Sequence, residues 1–145
     1  MKTMIDCKNL HLSFDRTRAL DDVTTAIGGR KIVGLLGRNG SGKTTLLYTF
    51  LGLLKPTQGE CRVFDRNSME LRREDMSRIG FVHQEGSYIE TMSVQTHLDY
   101  IASFHRRWDK AREKKLLADF ELDPDGRVGK LSTGDKQKLG IILAV

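Results

Sequence analysis

The chain has 145 residues and a formal net charge of +5, with 39% hydrophobic and 30% charged residues. This balance is typical of one folded globular domain and excludes disordered, collagen-like and low-complexity proteins. No run approaches the ~20 apolar residues of a membrane-spanning helix, and the first residues lack the apolar run of a secretory signal. The composition therefore predicts a protein that works in the cytosol.

The two cysteines, Cys7 and Cys61, lie far apart in the sequence. Neither belongs to a CxxC pair or has histidines at the spacing of a metal site. We therefore expect buried, reduced thiols rather than metal ligands or a disulfide.

The first half of the chain alternates short apolar runs with turns. The run KIVGLL at 31–36 is continuously apolar and bounded by glycine, as expected of a strand buried on both faces of a parallel sheet. Alternation of apolar and polar residues predicts strands on a half-exposed sheet at 5–14 and 19–27. The remaining predicted elements are a helix over 43–54, strands over 60–64 and 79–83, and a short charged helix over 68–75. This order of strands and helices predicts an α/β fold.

The second half has helical spacing. Val94, Leu98, Ile101 and Trp108 recur at helical intervals after Ser93, which is a suitable N-cap. Two further helices are predicted, one over 109–120 and one that follows Ser132 and runs to 145. The pattern predicts a β portion and core over about 1–86 and a helical subdomain over about 87–145.

The strongest motif, GRNGSGKT at 37–44, fits the G-x-x-x-x-G-K-[ST] pattern of a phosphate-binding loop, or P-loop. It stands between a predicted buried strand and a predicted helix, as the motif requires. Glycines allow successive backbone N–H groups to turn toward a phosphate, and the N-terminus of the helix adds further donors. We predict that MgATP or a similar triphosphate is bound by Gly37, Arg38, Asn39, Gly40, Ser41, Gly42, Lys43, Thr44 and Thr45.

Three of these residues have distinct predicted roles. Lys43 supplies a cation to the β- and γ-phosphates, and the Thr44 hydroxyl ligates Mg²⁺. Thr45 donates to the α-phosphate.

With the P-loop, three other landmarks resemble the ATPase domain of ATP-binding cassette (ABC) transporters over essentially the whole chain. They are the aromatic Phe14 before the P-loop, Gln84 at the end of FVHQ, and LSTGD at 131–135, which resembles the family signature LSGGQ. The signature differs from the family pattern at Thr133 and Asp135.

The resemblance implies a role for each landmark. Phe14 would stack on adenine, the alternative being a core aromatic of its strand. Gln84 would contact Mg²⁺ and the attacking water, and would act with Lys43 in catalysis. Ser132 and Gly134 would bind the γ-phosphate held by an opposing subunit.

The resemblance also implies the architecture and the partners. The fold would be a P-loop NTPase core with an N-terminal antiparallel β portion and a helical subdomain, incomplete at the C-terminus. The chain would bind ATP and Mg²⁺ in a head-to-tail homo- or heterodimer with another ATP-binding domain, without direct contact to nucleic acid. It would power transport through a separate membrane permease and lie at the inner face of the cell membrane.

One expectation concerns hydrolysis. The family has a strand ending in Asp-Glu and a switch histidine after the signature helix, and the 145 residues contain neither there. We therefore expect an ABC-type ATPase that is inactive in isolation.

Other interpretations stay open on sequence grounds. They are a soluble ABC-type ATPase acting on DNA or ribosomes, a non-catalytic nucleotide-binding fragment, and a P-loop kinase, against which LSTGD argues. The basic run at 105–115 is interpreted as a solvated helical face, a nucleic-acid patch or a surface for a membrane subunit.

Overall fold

The computed structural model describes residues 3–83, 86, 88–105 and 107–145. It divides into two compact units, Met1–Arg78 and Ile79–Val145, which we call the β unit and the helical unit. The division lies a little before the boundary near residue 86 that the sequence predicts.

The described strands of the β unit form one antiparallel sheet in the order β2-β1-β3-β4. The two hairpin strands predicted from alternation are confirmed. The elements of this unit are β1 (Thr3–Phe14), β2 (Thr17–Gly28), α1 (Lys43–Phe50), β3 (Gln58–Val63), β4 (Arg66–Asn67), a 3-10 turn (Ser68–Glu70) and α2 (Arg73–Met76).

A bulge in β1 explains why its buried residues do not follow a simple alternation. Cys7 and Leu10 are both fully buried although they are three residues apart. Between them Asn9 has a φ of 48°, and the pairing of β1 with β2 shifts register. An extra residue in one strand returns the next side chain to the same face of the sheet, so both residues contribute to the core.

The prediction of a buried parallel strand at 31–36 is wrong for this structure. The segment is coil, and Ile32 and Leu36 are 104% and 93% exposed. A strand of a parallel sheet forms where neighbouring strands accept and donate its backbone hydrogen bonds. Neither 31–36 nor the segment predicted as a strand at 79–83 takes part in the described sheet.

Helix α1 is shorter than the predicted helix over 43–54. Two hydrogen bonds close its C-terminal end: Gly52 N–H donates to Thr49 O at 3.2 Å, and Leu53 N–H donates to Tyr48 O at 2.9 Å. This pair of bonds satisfies carbonyls of the last turn and reverses the chain. The helix therefore ends at Phe50 rather than at residue 54.

The helical unit has three helices where the sequence predicts them, but the first ends at Ala102, so Trp108, the last residue of the predicted spacing, lies outside it. Ser93, Asp109 and Ser132 each accept a hydrogen bond from a backbone N–H of the helix that follows, which is the usual function of an N-cap. The helices are α3 (Val94–Ala102), α4 (Lys110–Asp119) and α5 (Thr133–Ala144), with a 3-10 turn at Val128–Lys130. Their shared core consists of Val94, Leu98, Leu117, Leu122, Val128, Leu139 and Ile142. Among the described helices, none has the length and apolar character needed to cross a membrane.

His97 of α3 is an ionisable residue in this unit that is almost completely buried. Its side chain contacts Tyr88, with ring centroids 5.8 Å apart. Its Nδ1 atom has no hydrogen-bond partner among the described residues. Burial lowers the pKa of His97 below its ordinary value, because the charged imidazolium is poorly solvated there.

We predict that the helical unit loses stability as the pH falls through about 6.5, the ordinary pKa of histidine. The folded state keeps His97 neutral, so the unfolded state takes up a proton first, and stability is retained only above that pH. Between pH 7.5 and 5.5 the free energy of unfolding should fall by about 1 kcal/mol more in the wild type than in His97→Gln. Far-ultraviolet circular dichroism of the helices measures unfolding at each pH; it is preferred to the fluorescence of Trp108, whose ring lies 5.6 Å from that of His105.

The matched control is His105→Gln, which alters an exposed histidine of the same unit. This variant should retain the pH dependence of the wild type. Equal pH dependence in the wild type and in His97→Gln would contradict the assignment of the stability loss to His97.

Candidate nucleotide-binding site

The P-loop connects the exposed segment 31–36 to α1, and its residues are exposed or half-buried. Gly40 and Gly42 have φ values of 79° and 84°, a left-handed conformation that is unfavourable for other residues. At Gly37 a Cβ atom would lie 2.6 Å from Ser41 Oγ, so the exposed serine side chain would have to rotate away. The loop also contains a turn in which Ser41 N–H donates to Arg38 O at 3.2 Å.

Gly42 fixes the loop against the sheet. A Cβ atom at this position would lie 2.2 Å from the carbonyl oxygen of Ala19 in β2. Only a residue without a side chain allows this approach, and the same residue is the N-cap of α1. The position and direction of the helix N-terminus therefore depend on Gly42.

The N-terminus of α1 is open to an anion. Its N-cap provides no side-chain hydrogen bond, and its first turn contains no acidic residue. The first helical hydrogen bond runs from Leu46 N–H to Gly42 O at 2.8 Å, so the N–H groups of Lys43, Thr44 and Thr45 have no acceptor within the helix. The unpaired donors and the helix dipole favour negative charge at this point.

The side chain of Lys43 folds back over the P-loop residues that precede it. Its Nζ donates to Gly37 O and to Arg38 O, both at 2.7 Å. An ammonium group has three donors, so two hold the loop and the third stays available. The ammonium group of Lys43 is therefore held by carbonyl groups of the P-loop, close to the N-terminus of α1.

Two other residues predicted for this site are less constrained by the structure. Phe14 ends β1 beside the hairpin turn and is 48% exposed, which argues against the alternative of a core aromatic. Gln84, predicted as a catalytic and metal-binding residue, lies outside the described residues.

The signature segment forms the N-terminus of α5, which differs from that of α1. Ser132 Oγ accepts from Asp135 N–H at 3.1 Å and donates to Asp135 Oδ2 at 2.7 Å. Lys138 Nζ donates to Asp135 Oδ1 at 2.9 Å. Hydrogen bonds from Lys138 and then Ser132 lower the pKa of Asp135, so a carboxylate occupies the first turn of this helix.

In the sequence, Asp135 is a departure from the family signature that places a negative charge beside Ser132 and Gly134. A serine followed three residues later by an acidic residue at a helix start is, however, the pattern of a reciprocal cap. That signal could have identified the Ser132–Asp135 pair. Gly134 is exposed, and a Cβ atom there would meet Ser132 Oγ at an ordinary 3.8 Å, so the described fold does not itself require glycine at 134.

Comparison with known proteins gives the family. A protein-family model described as "ABC transporter" matches residues 20–145. The chain belongs to the ABC transporter family. The P-loop lies within the matched residues, and the family agrees with the resemblance found in the sequence.

Related proteins and structures agree with this assignment. The chain is 30% identical to a bacitracin transport ATP-binding protein of Bacillus licheniformis over 100% of its own length and 48% of the relative. It is 37% identical to a phosphonates import ATP-binding protein of Rhodopseudomonas palustris, over 88% of this chain and 52% of that protein. A dimeric bacterial ABC transporter cassette has a TM-score of 0.80 at 25% identity, covering 98% of this chain and 69% of that one.

The chain spans about half the length of the curated relatives it matches. The solved cassette confirms the ABC P-loop fold, with its antiparallel β portion and helical unit.

We predict that Gly42→Ala destabilises the β unit of this ABC protein more than Gly40→Ala does. Both substitutions place alanine at a left-handed φ, which costs about 1–2 kcal/mol. Only Gly42→Ala also brings a Cβ atom against a carbonyl, which adds about 1–3 kcal/mol, since no heavy atom of the described residues lies within 4 Å of a Cβ at Gly40. Amide hydrogen exchange of peptides from β1 and β2 measures the difference.

Gly34→Ala is a second control, because Gly34 has open space around its Cβ position and no positive φ. This variant should leave exchange in β1 and β2 unchanged. Equal destabilisation by Gly42→Ala and Gly40→Ala would contradict the role given to the contact with Ala19.

Proposed function

We propose that this chain is the nucleotide-binding part of an ABC transporter ATPase subunit, and that it binds MgATP at the P-loop to power transport through a separate membrane permease. The observation that carries the proposal is the open N-terminus of α1, where unpaired N–H groups and Lys43 converge on a glycine loop. An anion with several phosphates satisfies these donors together.

The polyphosphate would be held mainly by the backbone. N–H groups of the loop from Gly40 and of the first turn of α1 would cradle the β-phosphate. Lys43 would bind the β- and γ-phosphates with its free donor, and exchange its bonds to Gly37 O and Arg38 O for phosphate oxygens. Bonds between an ammonium and phosphate are charge-assisted and stronger than those to neutral carbonyls, so the exchange favours the bound state.

Magnesium would be held largely by the nucleotide. Mg²⁺ in such sites keeps several waters and takes one or two protein groups together with phosphate oxygens. Thr44 fits this role because its exposed hydroxyl lies in the first turn of α1. Gln84 is the second protein group that the resemblance indicates. When bound, the ion neutralises phosphate charge.

Hydrolysis would transfer the γ-phosphoryl group of ATP to water, whose proton would leave with the inorganic phosphate or ADP. The bond from the γ-phosphorus to the bridging oxygen breaks while a water oxygen bonds to phosphorus, and ADP leaves. Lys43 would stabilise the charge that develops on the phosphate oxygens, and Gln84 would orient the water.

The partners follow from the family. Two relatives are named for bacitracin transport and phosphonates import, and one solved cassette is a dimer that has also been seen with ADP and phosphate. We propose that this chain likewise pairs head to tail with a second cassette on the inner face of a membrane. Ser132 and Gly134 would then face the γ-phosphate of the opposing site. Asp135 would oppose that contact, because its carboxylate already uses the Ser132 hydroxyl.

We expect Lys43→Ala to weaken MgATP binding by about ten- to a hundredfold. The substitution removes charge-assisted contacts worth about 1.5–3 kcal/mol and also the two bonds that close the loop. Isothermal titration calorimetry on folded protein measures the change in dissociation constant.

The matched variant is Lys55→Ala, which removes the same charge from an exposed lysine beyond the other end of α1. It should bind MgATP within about twofold of the wild type, because exposed charges at a distance are screened. Equal weakening by both substitutions would mean that net charge, rather than the P-loop, governs binding.

Phe14→Ala should also weaken nucleotide binding, while the melting temperature without nucleotide stays nearly constant. Stacking of a base on an aromatic ring contributes about 1–3 kcal/mol, and a half-exposed side chain leaves little cavity on removal. Phe14→Trp should retain affinity for ATP and GTP alike. A lowered melting temperature in Phe14→Ala with unchanged affinity would instead identify a structural residue.

A further inference from the structure

The fold brings together the two cysteines that the sequence separates. β1 pairs with β3 in antiparallel register, and Cys7 lies directly opposite Cys61. Both side chains are buried, at 0% and 1% exposure, and both are free thiols. Their burial agrees with the expectation from the sequence, but their pairing across β1 and β3 was not predicted.

The hydrogen-bond pattern identifies the type of pair. Phe64 N–H donates to Met4 O at 2.9 Å, which makes residues 4 and 64 a hydrogen-bonded pair. Antiparallel pairs alternate in type, and the register runs without a shift from Ile5 to Lys8. Cys7 and Cys61 therefore form a non-hydrogen-bonded pair, in which Cα atoms lie about 4.5 Å apart and side chains approach each other most closely. Disulfides need Cα separations of about 4.4–6.8 Å, so the backbone already meets the requirement.

The two thiols also interact with each other. Their mutual hydrogen bond raises the pKa of Cys7, and burial raises it further. The same bond lowers the pKa of Cys61. The thiolate of the pair thus forms more readily at Cys61, with Cys7 as its donor.

We propose that Cys7 and Cys61 are a redox-modifiable site that closes to a cross-strand disulfide in the presence of a low-molecular-weight disulfide. The Cys61 thiolate attacks one sulfur of the reagent, forms a mixed disulfide and releases one thiolate. Cys7 then attacks the Cys61 sulfur and releases the second thiolate. The cysteines lose two electrons and two protons, and the reagent becomes two thiols.

The bond would enclose the nucleotide-binding loop. Residues 37–44 lie between Cys7 and Cys61 in sequence, so the disulfide would join the two ends of a covalent ring that contains the P-loop and α1. A cross-link over a long loop restricts the unfolded chain and stabilises the folded state where it imposes no strain. Formation of the disulfide would therefore stabilise the folded β unit under oxidising conditions. Because both thiols are buried, the reaction should proceed at the rate at which the sheet opens locally around β1 and β3.

The test uses the folded 145-residue chain, equilibrated with glutathione and glutathione disulfide and then trapped with acid. Intact mass spectrometry should find a monomer about 2 Da lighter than the reduced chain, with no thiol left to alkylate after unfolding. An intramolecular disulfide can join only Cys7 and Cys61, because the sequence has two cysteines. The oxidised chain should melt at least ~4 °C higher than the reduced chain, and dithiothreitol should reverse the shift.

Cys61→Ala and Cys7→Ala are the matched variants, and the same treatment should leave their melting temperatures unchanged. The oxidised and re-reduced wild type provides the comparison if either variant folds poorly. Thiols that stay free at equilibrium, a chain with glutathione attached, a covalent dimer, or an oxidised monomer that melts lower than the reduced one would each overturn the proposal. Nucleotide affinity has no part in these measurements, so the proposal stands or falls separately from MgATP binding.

Discussion

The contact between Gly42 and the Ala19 carbonyl is the constraint on which the nucleotide-binding site depends. It joins the start of α1 to β2 at a distance that no side chain permits. Because Gly42 is also the N-cap of α1, the contact determines where the unpaired N–H groups of the first turn lie. The sheet therefore orients the helix N-terminus, and the N-terminus in turn orients the phosphate-binding donors.

The two helix N-termini associated with the family motifs differ in their electrostatics. α1 begins with a glycine and has no acidic residue in its first turn. α5 begins with a serine whose hydroxyl is engaged by Asp135, itself paired with Lys138. A bound anion would complete the first terminus but must displace a carboxylate at the second. In the proposed function, the chain would therefore hold its own nucleotide through α1 and engage a second cassette less strongly through α5.

Local sequence signals predicted the elements whose stability is local. The caps at Ser93 and Ser132, the first hairpin and the P-loop helix depend on residues close in sequence, and each is found where the pattern indicates. The strand predicted at 31–36 was wrong because an apolar run becomes a buried strand only beside partner strands. The pairing of Cys7 with Cys61 could not be predicted either, since it follows from the register of β1 against β3, which no local pattern specifies.

The sequence predicted the residues of the candidate site but not their contacts, because only the residues are specified by a local motif. The P-loop motif defines its residues without reference to the rest of the chain. It does not indicate that Lys43 binds the loop carbonyls, that Gly42 contacts Ala19, or that Asp135 shares a cap with Ser132. These contacts depend on tertiary packing or on the direction of individual side chains.

The most direct test of the account is a nuclear magnetic resonance titration of the ¹⁵N-labelled chain with MgATP, at a concentration that keeps it monomeric. We expect the largest amide shifts from Gly40 to Thr45, where the N–H groups of the loop and of α1 would bind phosphate. Amides at the N-terminus of α5, from Ser132 to Asp135, should shift little, because Ser132 and Asp135 already cap that helix. Shifts concentrated at α5, or none in the P-loop at saturating MgATP, would contradict the account.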